Sequence, residues 1–134
     1  MNFSIKTSLP EKLKTQCVAV LVFEGGKLSS ESTKINRATK GKLSRLIKSQ
    51  AFGGKTGESL VLFNLPNISA DAVVLLGAGK QNQITKSGYQ KIVNECFRCG
   101  SSYNFREMGL FITKHKVSES DEHWQITQIA ISGL

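Results

Sequence analysis

The feature that most constrains this chain is a continuous apolar run, Cys17-Val18-Ala19-Val20-Leu21-Val22-Phe23. Seven residues rich in β-branched side chains, with no alternation, read as a strand buried on both faces. Such a strand needs helices above and below it, so the run predicts the middle of an α/β sheet. It is far shorter than the roughly 20 apolar residues that a membrane crossing requires, and no longer apolar run occurs, so no membrane partner is expected.

The neighbouring segments fit that frame. Phe3 and Ile5 alternate with polar residues and predict a short strand over about 2–6. Pro10-Glu11 opens a connection with room for one helical turn. Glu24-Gly25-Gly26 ends the central strand. Ser29 or Ser30 caps a predicted helix over 31–49. At about 100° per residue, Ile35, Ala38, Leu43, Leu46 and Ile47 share one half of its wheel. Ser59–Asn64 and Asp71–Leu76 are strands joined by Leu65–Ala70, too short for a parallel crossover, so as neighbours they must pair antiparallel. Thr85 caps a helix over 86–100 that buries Tyr89, Ile92, Val93, Cys96, Phe97 and Cys99. Met108–Thr113 is a last strand, and Asp121 caps a final helix. The order β, β, α, β, β, α, β, α gives a mixed sheet flanked by helices, a three-layer α/β sandwich. A chain of 134 residues without a linker is one domain, large enough for a core without disulfides or metals. The composition, 40% hydrophobic and 21% charged, excludes collagen-like, coiled-coil and disordered classes.

Three cysteines, an odd number, fit reduced thiols. The first residues have no apolar stretch or cleavage site of a secretory signal, so a cytoplasmic location is expected.

Candidate chemistry is sparse. Gly54-Lys55-Thr56 matches the end of a phosphate loop, but Ser49 stands where the first glycine is needed. The segment also follows a helix and opens a strand, the reverse of the required context. Gly77-Ala78-Gly79-Lys80 has the right context, strand before and helix after, and reads as a tight turn with an anion site as the alternative. Cys96-Phe97-Arg98-Cys99 lies near a helix C-terminus, where the dipole opposes a thiolate, and no second pair completes a zinc site. His115 and His123 are scattered. Asp71, Glu95, Asp121 and Glu122 form no carboxylate dyad. No catalytic and no metal-binding residue is therefore assigned.

Charge is the strongest surface feature. There are 18 basic against 10 acidic residues, for a net +8. From Lys34 to Lys55 the chain holds seven Lys/Arg and no acid. Lys34, Arg37, Arg45 and Lys48 face away from Ile35, Leu46 and Ile47 on a continuous wheel. They form a possible anion or nucleic-acid surface, though without interleaved aromatics for base stacking.

Taken in order, these segments resemble the N-terminal domain of the bacterial leucyl aminopeptidases, the cytosol aminopeptidase family. Met1–Lys6 is similar to the family's opening strand, and the run ending Val22-Phe23-Glu24 to its second. Gly54-Lys55-Thr56-Gly57-Glu58-Ser59-Leu60-Val61-Leu62 resembles its Gly-Lys-x-Gly lead into a strand. Leu65-Pro66-Asn67 and Val73-Val74-Leu75-Leu76-Gly77-Ala78-Gly79-Lys80 follow as they do there. The resemblance covers about residues 1–113 well and the last helix loosely.

It implies a macro-domain-like fold and a parent that is a two-domain, two-metal (Mn or Zn) exopeptidase, hexameric in the cytoplasm. It places the metal ligands and the catalytic lysine and arginine in a C-terminal domain with the signature Asn-Thr-Asp-Ala-Glu-Gly-Arg. That signature does not occur here, so residues 1–134 are expected to be a single accessory domain, without cofactor or peptidase activity of its own. Its partners would be its own catalytic domain and further copies. The apolar ending Trp124–Ile131 fits a chain that stops before the catalytic part. Two other readings remain: a nucleic-acid-binding module using the basic helix, and a free-standing macro-type domain holding an ADP-ribose-like ligand at its Gly-rich loops.

Overall fold

The structure is a computed structural model that describes residues 2–5 and 9–112. Its elements in chain order are strand β1 (Asn2–Ile5), β2 (Cys17–Phe23), β3 (Lys27–Leu28), helix α1 (Ser30–Ala38), α2 (Lys42–Ser49), β4 (Ser59–Phe63), β5 (Ala72–Gly77), α3 (Lys86–Ser102) and β6 (Glu107–Phe111). The predicted helix after Asp121 lies outside the described residues, as do His115 and His123.

Five strands form one sheet in the order β1-β6-β2-β5-β4, and β3 pairs with β2 as a short hairpin. β1, β6, β2 and β5 run parallel, and β4 runs antiparallel to β5. The sheet is mixed, and the short Leu65–Ala70 connection sets the direction of β4 as its length requires.

The seven-residue run is the central strand, and all seven side chains are buried. Alternation sends them to two separate cores. Cys17, Ala19, Leu21 and Phe23 pack with Tyr89, Ile92, Val93, Cys96 and Cys99 of α3. Val18, Val20 and Val22 pack with Ile35, Leu43 and Ile47 of α1 and α2. Two helical layers therefore enclose the sheet, a three-layer sandwich.

Three local expectations need correction. The helix expected over 31–49 is two helices, broken at Thr39-Lys40-Gly41. Lys40 (φ 56°) and Gly41 (φ 83°) are both left-handed there. Polar side chains then restart the chain: Thr39 Oγ1 accepts from Leu43 N–H at 3.3 Å, and Asn36 Oδ1 from Ser44 N–H at 3.0 Å. Local side-chain acceptors of this kind compete with a continuing helix. The connection at Pro10-Glu11 holds a hydrogen-bonded turn, Lys12 N–H to Leu9 carbonyl, and no helix. The two-residue strand β3 was not foreseen; it occupies the upper edge of β2 above the stretch paired with β6. Ser29 is the cap of α1, with the reciprocal Ser29–Ser32 bonds of a capping box.

Candidate functional site

Open α/β sheets offer ligands a crevice outside the carboxyl ends of their parallel strands. In this chain the carboxyl ends of β2 and β5 are met by three Gly-rich segments, residues 24–26, 53–57 and 77–80. These segments bond to one another. Glu24 N–H donates to the Gly79 carbonyl at 2.8 Å and Gly25 N–H to Gly53 at 3.1 Å. Gly79 N–H donates to Gly54 at 2.9 Å, and Gly77 N–H to Glu58 at 2.7 Å. Ala78 N–H donates to Val22 at 3.0 Å, continuing the β2–β5 ladder. Gly77-Ala78-Gly79 thus directs all three of its amides into the protein, and the segment is a tight turn.

Glycine is needed here for close approach. A Cβ on Gly54 would collide with the Phe23 carbonyl oxygen, and one on Gly77 with that of Lys55. Lys55 N–H is held by the Glu58 carboxylate at 2.8 Å. A carboxylate therefore sits where a phosphate loop would need an open donor. Beside this seam lies an open cleft of about 400 Å³, between the turn at Gly25-Gly26 and the C-terminal end of α2, with Ser44, Ile47, Lys48 and Phe52 in its walls.

The four basic residues divide between the two helices, Lys34 and Arg37 on α1, Arg45 and Lys48 on α2. The single wheel on which they shared a face does not exist. Arg37, Arg45 and Lys48 are exposed and Lys34 is half-buried. None forms an ion pair among the described residues. Arg45 reaches the Lys40 carbonyl at 3.4 Å.

The CxxC pair sits in the second half of α3 and faces the sheet. Cys17, Cys96 and Cys99 are free and buried within one core cluster. Burial pushes the Cys17 thiol up to about 12, raises Cys96 well above the ordinary thiol value, and raises Cys99. Neutral thiols of this kind are neither good nucleophiles nor ready metal ligands. Among the described residues no group of three or more His, Cys, Asp or Glu could hold a metal ion.

One network was not foreseen. Glu95 accepts from Arg98 Nε at 2.7 Å and from Ser59 Oγ at 2.5 Å. Cys99 Sγ donates to Ser59 Oγ at 3.4 Å. The bond to Arg98 holds the Glu95 carboxyl below its ordinary range, with burial opposing and Ser59 assisting. Glu95 and Arg98 at i,i+3 were legible as a helix pair. Ser59 joins them from a strand 36 residues away, which spacing cannot reveal. At the other end of β4, Phe63, Tyr103 and Phe105 form a partly exposed aromatic cluster with ring centroids 5.5–6.2 Å apart.

Residues 19–133 match the family model described as the cytosol aminopeptidase family, N-terminal domain. A probable cytosol aminopeptidase of Haemophilus ducreyi is 33% identical over 126 residues, covering 94% of this chain and 25% of that protein. One from Nitrosospira multiformis is 31% identical over 134 residues, 100% of this chain and 26% of the relative. The chain thus spans about a quarter of the length of these curated relatives. In fold it is similar to the macrodomain of Mycobacterium tuberculosis DarG, with a TM-score of 0.75 at 8% identity, covering 98% of this chain and 89% of that one. A tomato leucine aminopeptidase mutant superposes with a TM-score of 0.66 at 14% identity, covering 98% of this chain and 27% of that one. A macrodomain-like sandwich with this sequence pattern across 19–133 leaves one assignment: the chain belongs to the cytosol aminopeptidase family, as its N-terminal domain.

Proposed function

We propose that this chain is the non-catalytic accessory and assembly domain of a two-metal leucyl aminopeptidase. In this reading, N-terminal residues are released from peptides on a C-terminal domain that carries two divalent metals. The present domain joins that catalytic domain in a cytoplasmic hexamer. The described residues do not fit the metals, since no group of three ligands converges among them, and no step of the chemistry is assigned to this chain.

The observation that carries the reading is the closed seam at the carboxyl ends of β2 and β5. The amides of Glu24, Gly25, Gly77, Ala78 and Gly79 there are bonded to neighbouring carbonyls, and that of Lys55 to the Glu58 carboxylate. A ligand of the ADP-ribose type that drew on those amides would have to break these bonds, each worth about 1 kcal/mol net and more once left buried and unpaired. This favours a scaffold over a free-standing ligand-binding macro-type domain. Calorimetric titration with ADP-ribose should therefore give no binding heat, and saturable binding would overturn that part. Removing this domain from the full-length parent should lower the hexamer fraction in sedimentation velocity. An unchanged hexamer would refute the assembly role.

The exposed cations Arg37, Arg45 and Lys48, which form no ion pair among the described residues, favour a second reading, in which the parent also holds DNA or another polyanion on this face. Contacts of that kind would supply affinity with little sequence information.

A further inference from the structure

Among the described residues the outer edge of β4 is open. β4 ends the sheet order and pairs only with β5 among the described residues. The register sets Ser59 opposite Leu76 and Phe63 opposite Ala72. Just beyond the two ends, Gly77 N–H donates to the Glu58 carbonyl and Asn64 N–H to the Asp71 carbonyl. Bonded positions alternate along an antiparallel ladder. Glu58, Leu60, Leu62 and Asn64 therefore turn their backbone groups toward β5, and Ser59, Val61 and Phe63 turn theirs outward.

Natural sheets guard such edges with lysine, proline, bulges or a covering element. Ser59-Leu60-Val61-Leu62-Phe63 contains no charge and no proline. At its far end Phe63 and the neighbouring Tyr103 are each 50% exposed, with Tyr103 stacked on Phe105 and Phe63 tilted against both rings. An exposed aromatic pair continuous with an unguarded edge is the mark of an interaction surface.

We propose that β4 pairs antiparallel with the β4 of a second copy of this chain, about a two-fold axis at Val61. The outward groups lie at Ser59, Val61 and Phe63, so a two-fold at Val61 opposes Val61 to Val61 and Ser59 to Phe63, and each pair exchanges both main-chain bonds. What favours a copy over an unrelated strand is the difference between the two ends of β4. The side chains on the α3 face are complementary under the same operation. Ser59 lies beside Glu95 and the exposed Arg98, whereas Phe63 lies beside Tyr103. Antiparallel pairing brings the aromatic end of one copy to the arginine end of the other, twice. Guanidinium groups over aromatic rings attract. An isologous contact of this kind closes on itself and, among the described residues, leaves β1 as the outer edge of the joined sheet.

This deepens the assembly part of the functional reading and is independent of the peptidase part. A monomeric chain with no peptidase activity would refute the pairing and leave the other standing.

The test is sedimentation velocity of the 134-residue chain from micromolar to near-millimolar concentration, with amide hydrogen exchange followed by NMR. A dimer is expected, with the Ser59, Val61 and Phe63 amides protected only as concentration rises. Val61→Pro removes an outward N–H and spares the β4–β5 ladder. It should weaken dimerisation at least about tenfold. Phe63→Glu, at a half-exposed position, should do the same and serves if the proline variant fails to fold by circular dichroism. A monomer at every concentration would overturn the proposal, as would a dimer in which these three amides exchange freely. Protection that does not depend on concentration would place a segment of the same chain on the edge and equally overturn it. So would undiminished dimerisation of the folded variants.

Discussion

Replacing Gly77 with alanine would put a methyl group inside the contact radius of the Lys55 carbonyl oxygen, and 2.9 Å from the Gly54 carbonyl carbon. Both neighbours are backbone, so the 53–57 loop must move away from β5. Overpacking of this kind costs about 1–3 kcal/mol. Moving the loop also strains the Gly79–Gly54 and Gly77–Glu58 bonds, each worth about 1 kcal/mol. A loss of about 3 kcal/mol follows from these two effects together. Gly25→Ala separates crowding from backbone strain. Gly25 has φ +83° and nothing within 4 Å of the added carbon, so only the left-handed penalty of about 1 kcal/mol applies. Gly54→Ala combines both, with φ +76° and the Phe23 carbonyl in the way, and should be at least as costly as Gly77→Ala. The assay is urea denaturation followed by circular dichroism. With a slope of about 1.5 kcal/mol per molar urea, Gly77→Ala should lower the midpoint by about 2 M. A Gly77→Ala protein within about 0.5 kcal/mol of wild type, the usual surface range, would refute the locked-seam reasoning. Equal losses for Gly25→Ala and Gly54→Ala would do the same.

Tyr89→Phe removes the buried bond from the Tyr89 hydroxyl to the Ile112 carbonyl at 2.8 Å and should cost about 1–2 kcal/mol in the same urea assay. Glu95 has its carboxyl pKa depressed by Arg98, so its contribution is present above the ordinary carboxylate value and is lost as pH falls through the folded one. The stability difference between wild type and Glu95→Gln, measured from pH 7 to pH 3, should therefore shrink on the acid side; a difference that grows there would contradict the sign. Cys17, Cys96 and Cys99 should react with a thiol reagent only as fast as the fold opens, and stoichiometric zinc lost on Cys96→Ser would count against their neutral, buried state. Charge reversal at Arg37 and Arg45 in the full-length parent should weaken any DNA binding to all sequences alike and flatten its salt dependence. Unchanged affinity and slope in a gel-shift titration would leave these cations as solvated surface.

Much of the architecture was legible because burial writes itself into periodicity. The uninterrupted Cys17–Phe23 run could only be a central strand, and the short 65–70 connection forced β4 and β5 antiparallel. The break between α1 and α2 was hidden because Ile35, Leu43 and Ile47 all face the core, so the apolar pattern continues across it. The decision was made locally, by Gly41 with the Thr39 and Asn36 side chains. The candidate site was less legible. Gly54-Lys55-Thr56 and Gly77-Ala78-Gly79 could be recognised as turns, but nothing in either segment tells that they bond to each other. That fact depends on β2 and β5 being neighbours, a long-range property. The same limit hid Ser59 from Glu95 and left the open edge of β4 invisible until the strand order was known.

The most direct test of the central claim is hydrolysis of leucine p-nitroanilide by the purified 134-residue chain, with Mn²⁺ or Zn²⁺ supplied. The account predicts no metal-dependent turnover from this chain, under conditions in which the full-length parent cleaves the substrate. Metal-dependent turnover that co-purifies with the folded chain through successive columns would contradict it.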